Sequence, residues 1–339
     1  MVAVATPSAL LAQQTAQADA ALDLFYSANG LYNRSLYTLA ADQYQEFAAK
    51  YPNHEKAKSA QLGLGLSYFG MGKYAEAEPL LTKTAGEGKP AEREQAQLFS
   101  AQCFLMLNRP ADAVRVFTAG LAAATEKSSR EKLLAGLGEA HYQQQQWKEV
   151  IARGAELAAM GPPAPLLSRA RFQTAVAHFE LKQFKEAAAL LEKAVTEKDA
   201  PVLQQATFLL GDAARELGDL EASARHFEAA AKLPGPSVPD AWFRLGFVRF
   251  QQNRFDDAAR AFDELGRAQK DHPLNVHAGL YRGRIALGKN DQAAAENLLR
   301  QVPPDSSAGR PALTTTTPLQ CAHVNVSDSA WPDSVVTSR

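Results

Sequence analysis

Small and bulky apolar residues recur along this chain at a near-constant interval. With Ala258 of "DAWFRLGFVRFQQNRFDDAARAF" as reference, the same slot holds Ala40, Ala77, Ala113, Val150, Ala187 and Ser223. The successive intervals up to Ala258 are 37, 36, 37, 37, 36 and 35 residues. Twelve residues before each lies another small residue: Ala28, Gly65, Ala101, Gly138, Ala175, Gly211 and Gly246. Three before it stands a bulky or ring-bearing residue: Tyr37, Tyr74, Pro110, Trp147, Phe184, Leu220 or Phe255. Four after it come Tyr44, Leu81, Phe117, Gly154, Leu191, Phe227 and Phe262.

This pattern predicts two helices per period, joined by a short turn. The first helix carries apolar residues at i, i+3, i+4 and i+7. Stretches such as "GMGKY", "LNRP", "ELGDL" and "QQNRF" punctuate the turn, and the prolines of "YPNHEKA" and "KLPGPSVPDA" close units because proline disfavours continuing a helix. The paired small residues, Gly138 and Gly211 among them, are expected to let the two helices cross closely, with bulky neighbours filling the space on either side. One such hairpin cannot bury its apolar face alone, so the units must stack.

The pattern W-x2-L-G-x2-Y…A-x3-F resembles the tetratricopeptide repeat. Trp242, Leu245, Gly246, Ala258 and Phe262 fill its slots, while Arg249 stands where the family has Tyr. The likeness covers Ala21 to about Leu265 in seven units, with a degenerate eighth at Leu274–Val302. The period is roughly two or three residues longer than the usual 34. "ADQYQEFAAKYPNHEKAKSAQLGLGLSYFGMGKYAEAEPLL" is similar to long-period variants in bacterial envelope proteins, among them outer-membrane assembly lipoproteins and Tol–Pal accessory proteins. The resemblance implies an all-α, right-handed α-solenoid of antiparallel helix hairpins with seven to eight repeats, over residues 21–302.

Composition narrows the picture. A formal net charge of −1 over 339 residues gives no bulk attraction to nucleic acid or acidic lipid. β-branched residues are sparse, which favours helix over sheet, and no apolar run reaches the roughly 18 residues of a membrane span. Residues 1–20 are Ala-rich and end in small residues without a basic region, so they read either as the remnant of a signal peptide or as a frayed start. Residues 303–339 contain no Lys and no Glu and are rich in Ser, Thr and Pro, so disorder is expected there. The array then ends without a clear polar capping helix, which leaves homo-oligomerisation through that end open. Two cysteines, Cys103 and Cys321, fit both a periplasmic or exported location and a cytoplasmic one.

The candidate chemistry is thin. Gly63, Gly65 and Gly70 have the wrong spacing for a dinucleotide loop, and "GEGKPAER" lacks P-loop spacing. His141 and His178 share one repeat slot, but equivalent positions in stacked units lie about 8–10 Å apart, so two half-buried histidines bonded to nearby polar groups are expected rather than a metal site. Cys103 reads as a packing residue. No catalytic residue, metal or cofactor is called for.

The resemblance implies instead a groove lined by positions five and twelve of each first helix. In this chain these are Phe25 and Tyr32, Leu62 and Phe69, Leu98 and Leu105, Ala135 and Tyr142, Phe172 and Phe179, Phe208 and Arg215, and Phe243 and Phe250. Asn29, Asn33, Gln102, Glu139, Asp212 and Gln251 form polar rungs between them. The expected function is a non-catalytic scaffold that binds a protein or peptide partner in this groove. The alternative is a structural component of a bacterial envelope complex that docks through its convex face or ends. Within the seventh unit, Trp242 is expected to pack on its paired helix and Phe243 to face the groove.

Overall fold

The computed structural model describes residues 7–197 and 202–302, with side chains from residue 20 onward. Residues 1–6 and the tail expected to be disordered lie outside the described residues. These contain sixteen helices and no strand. They fall into two compact units that divide between Val202 and Leu203.

The first unit holds five hairpins: α1 (Pro7–Asn33) with α2 (Tyr37–Lys50), α3 (Ala57–Gly70) with α4 (Tyr74–Glu87), α5 (Pro90–Met106) with α6 (Pro110–Ala123), α7 (Lys127–Gln143) with α8 (Trp147–Ala159), and α9 (Ala164–Glu180) with α10 (Phe184–Thr196). The second holds three: α11 (Leu203–Glu216) with α12 (Leu220–Lys232), α13 (Val238–Gln251) with α14 (Phe255–Ala268), and α15 (Leu274–Gly288) with α16 (Gln292–Arg300). Within each unit every helix packs on the one before and the one after it, the arrangement of an α-solenoid.

The sequence slots land on matching structural positions. In the first seven hairpins, the bulky residue three before the reference opens the second helix. The reference slot is buried throughout, from Ala40 to Ala258. The eighth hairpin continues the series with Gly283 on α15 and Ala295 on α16; Ala295 is fully buried, and a Cβ on Gly283 would come within 2.5 Å of Leu299.

All eight turns share one backbone geometry. A single residue with positive φ, five before the reference slot, ends each first helix: Ser35, Gly72, Asn108, Gln145, Lys182, Gly218, Asn253 and Asn290. The following residue then donates its N–H to a carbonyl five positions back. Examples are Leu36 to Leu31 at 3.0 Å, Gln183 to His178 at 2.8 Å and Asp291 to Ala286 at 2.9 Å. This is the left-handed helix stop that satisfies carbonyls otherwise orphaned at a C-terminus.

The close crossings form as expected, with one exception. A Cβ on Gly211 would lie 2.8 Å from the Phe227 ring, and one on Gly246 2.5 Å from Phe262, so neither site has room for a methyl group. Gly138 differs: its nearest neighbour would be Arg153 Cβ at an ordinary 3.8 Å. The expectation of a tight crossing at Gly138 is therefore corrected. The reason lies across the hairpin, where Gly154 occupies the slot that holds a ring or Leu in the other six of the first seven hairpins.

Candidate partner-binding groove

The first helices of the first unit form an inner row. Each of α1, α3, α5 and α7 touches the next first helix as well as its immediate neighbours in sequence. The heptad spacing on α5 brings Ala91, Gln95, Leu98, Gln102 and Leu105 onto one face. That face lines a groove of about 760 Å³ together with Phe69 of α3, Lys132, Ala135 and Glu139 of α7, and Leu166 and Arg169 of α9. Leu98, Leu105, Phe99 and Leu133 make its floor apolar, and Phe69 meets Phe99 edge-on with ring centroids 4.9 Å apart. Met106, at 58% exposure, lies along the same groove.

Glu139 is anchored from the neighbouring hairpin: Arg169 donates to its carboxylate at 2.6 Å and the Gln173 amide at 2.5 Å. Burial, then the carboxylates of Glu139 and Glu180, push the Tyr142 phenol up, and burial also raises the Glu180 carboxyl. His141 and His178 each pair through Nδ1 with the glutamine that ends the following turn and caps the second helix, Gln146 and Gln183, at 2.6 Å. They are thus parts of two equivalent turns. Among the described residues, no group of three or more His, Cys, Asp and Glu side chains is arranged to hold a metal ion. Burial, reinforced by Glu78, pushes the fully buried Cys103 thiol up to about 12.

Four of the expected groove positions, Phe69, Leu98, Leu105 and Ala135, come together in this groove. The polar rungs Gln102 and Glu139 join them. The remaining position-twelve aromatics have a prior engagement. Tyr32, Tyr142, Phe179 and Phe250 are half-buried, each with its ring on the one that opens its own second helix, at 5.5, 5.7, 5.2 and 5.6 Å. Phe69 does the same with Tyr74 at 5.3 Å. Phe172 is half-buried. Phe25, Leu62, Phe208 and Phe243 are core residues, between 3% and 7% exposed.

Phe243 departs most from expectation. It sits under α15, 5.8 Å from the Phe262 ring and 6.2 Å from Tyr281, whereas Trp242 is the half-buried residue of the pair. The cause is the eighth hairpin: Tyr281 stacks on Phe262 and closes over the position-five side chain. Arg215 is also largely covered. It pairs with Glu216 beside an Asp212–Arg244 pair at 3.7 Å. Burial raises the Asp212 carboxyl and lowers the Arg244 guanidinium, each partly offset by the other's charge. In the second unit these inner positions hold an ionic cluster.

Sequence reading missed Gln95, Lys132, Phe99 and Arg169 as groove residues. The i, i+3, i+7 stripe on α5 carried a signal for Gln95. Arg169 reaches the groove only because the next hairpin stacks, and no local pattern announces that.

Fold and groove together define a helical-hairpin repeat protein. The chain belongs to the tetratricopeptide repeat family: one model of that description matches residues 25–91, 62–128, 208–268 and 248–311, and a second matches residues 169–197. Among solved structures, the apo form of RapI aligns with a TM-score of 0.61 at 12% identity, covering 83% of this chain and 85% of that one. A tetratricopeptide repeat protein from Parabacteroides merdae aligns at 0.54 with 15% identity, over 79% and 99% of the two chains. Pseudomonas aeruginosa pilF aligns at 0.52 with 16% identity, over 66% and 98%. These likenesses are of fold. No curated protein matches the chain in sequence. Among the described residues, no helix is long and apolar enough to cross a membrane.

Proposed function

We propose that the protein is a non-catalytic interaction scaffold that takes a segment of a protein partner into the groove of its first unit. The observation that carries this reading is the groove's apolar floor on the inner helices. An open concavity with such a floor supports recognition by burial, with polar groups at its walls fixing orientation. Phe69, Leu98, Leu105 and Ala135 are the anchoring surface. Other inner aromatics, among them Tyr32 and Phe179, hold hairpins together and have less surface to give.

A photo-cross-linking amino acid at Gln102, inside the groove, should capture the partner. The same probe at Arg115, exposed on α6, should not. Leu98→Asp should abolish capture at Gln102 with little change in melting temperature, because Leu98 is only half-buried. Equal capture from both positions, unaffected by Leu98→Asp, would rule the groove out.

A second reading, a structural part of a bacterial envelope complex docking through its outer surface or ends, draws on a different observation. Leu36 and Leu39 are 39% and 52% exposed on the first hairpin. The slot of Leu36 is polar in the other seven: Lys73, Arg109, Gln146, Gln183, Asp219, Arg254 and Asp291. The slot of Leu39 holds Glu76, Asp112, Glu149, Glu186 and Asp257 elsewhere, or Ala. Loss of partner with Leu36→Lys and Leu39→Glu, and not with Leu98→Asp, would select this reading.

A further inference from the structure

The fourth hairpin is seated firmly on its neighbours and loosely within itself. On one side, α7 rests on the third hairpin: the fully buried Phe117 ring of α6 lies against Gly136, where a Cβ would collide with it. On the other side, α8 rests on the fifth: a Cβ on Gly154 would collide with the Thr174 hydroxyl of α9. That hydroxyl is itself fixed, donating to the Ala170 carbonyl at 2.7 Å. Between α7 and α8 the contact is different. The atom nearest to a Cβ on Gly138 is Arg153 Cβ at 3.8 Å, and Gly154 has no side chain to fill the crossing. The other crossings of the first unit are closed by the buried Tyr44, Leu81, Phe117 and Leu191.

The contacts that do join α7 to α8 gather near their turn. There the Tyr142 and Trp147 rings meet at 5.7 Å and His141 pairs with Gln146. Further along, Leu134 and Leu157 share a small buried cluster with Ala170 of α9. Glu139, next to Gly138, bridges the loose crossing. Its carboxylate accepts from Arg169 at 2.6 Å and from Gln173 at 2.5 Å, four residues apart on α9. The grip thus runs from α7 to α9 along the inner row, past α8. Two donors on one carboxylate fix its direction. The Arg169 side chain is nevertheless 69% exposed, and exposed ion pairs are weak and screened by salt. Such a grip holds a joint and can be released.

We propose that the α7–α8 crossing is a hinge and that Glu139, held by Arg169 and Gln173, is its latch. The helices α1 to α7 then move as one body and α8 to α10 as another, the bending being concentrated at one crossing rather than shared among all. Leu166 and Arg169 line the groove from α9, so release withdraws that wall from the floor on α5. This last consequence rests on the groove reading; the hinge does not.

The test is pulsed electron spin resonance between pairs of spin labels on the full chain. Cys321→Ser removes one native thiol, and the fully buried Cys103 stays in place. Ala49, Ala122 and Thr196 are exposed and share one slot, nine residues past the reference, on α2, α6 and α10. Labels at Ala122→Cys and Thr196→Cys span the hinge; labels at Ala49→Cys and Ala122→Cys span as many hairpins without it. Both distance distributions should be narrow in the otherwise wild-type chain. Glu139→Gln keeps the side chain's shape and should widen the 122–196 distribution about twofold, leaving the 49–122 distribution unchanged. Arg169→Gln should act alike, and the double variant should add nothing to Glu139→Gln, because both remove one interaction. Equal widening of both pairs would spread the bending along the array. No widening of either would leave Glu139 without a latching role, as would a 122–196 distribution already broad before Glu139 is changed. Any of these three results overturns the inference. None of them bears on capture at Gln102, which tests the groove separately.

Discussion

At the scale of single residues, the fold depends on a few side chains placed against glycines. Gly138 and Gly246 occupy the same slot but have opposite surroundings. Alanine at Gly246 would put its methyl group 2.5 Å from the Phe262 ring, an overpacking expected to cost about 1–3 kcal/mol. Alanine at Gly138 meets nothing closer than 3.8 Å and removes a flexible residue from a helix interior, so it should stabilise by about 0.5–1 kcal/mol. Urea titration of the two variants checks the opposite signs. Tyr44 makes a further residue-level case. It is 1% exposed, its hydroxyl meets Asn29 Oδ1 at 2.5 Å, and burial pushes its phenol up to about 12. The folded chain holds that proton more tightly than the unfolded chain, whose tyrosine titrates near 10. The stabilisation is thus complete below pH 10 and is lost as pH rises towards 12. Tyr44→Phe should lower the melting temperature at pH 8 and narrow its gap to the wild type by pH 11.5; a constant gap would contradict the assignment.

At the scale of elements, the hairpins are alike in their turns and unequal in their cores. Helix α8 buries only Val150 and Leu157, while α4 and α6 each add a ring or Leu at the slot where α8 has Gly154. Amides of α8 should therefore exchange with deuterium faster than those of α4 and α6; equal protection would mean that other contacts compensate. The hairpins were legible in the sequence because each depends on a local period: small and bulky residues repeat within about 37 positions, and each recurrence reinforces the others. The faces were less legible. Phe243 and Trp242 are adjacent, and which of them is covered depends on Tyr281, 38 residues further along. The position-twelve aromatics read as groove anchors, yet each ring is turned onto the start of its own second helix, a use that the spacing of five permits but does not announce. Gln95 was legible in the stripe on α5, but Arg169 joined the groove only once the next hairpin was stacked.

At the scale of the whole molecule, two units each hold their own chain of neighbour contacts, so damage should stay local. Gly246→Leu should raise deuterium exchange through α13 to α16 and leave α3 to α7 as in the wild type. A rise throughout α1 to α10 would show instead that the two units unfold as one. The eight matching turns bear on a different matter, the lengths to which this chain can be cut. Each turn is closed by backbone hydrogen bonds and one left-handed residue, six times of eight without glycine, so it makes almost no demand on which hairpin precedes or follows. A genetic deletion running from one left-handed residue to the next, Asn108 to Gln145 for example, removes a whole period and rejoins two identical backbones. One removing half a period joins a first helix to a first helix and leaves an apolar face without its mate. Viable length variants of this protein should therefore come in steps of one repeat, with no tolerated lengths between.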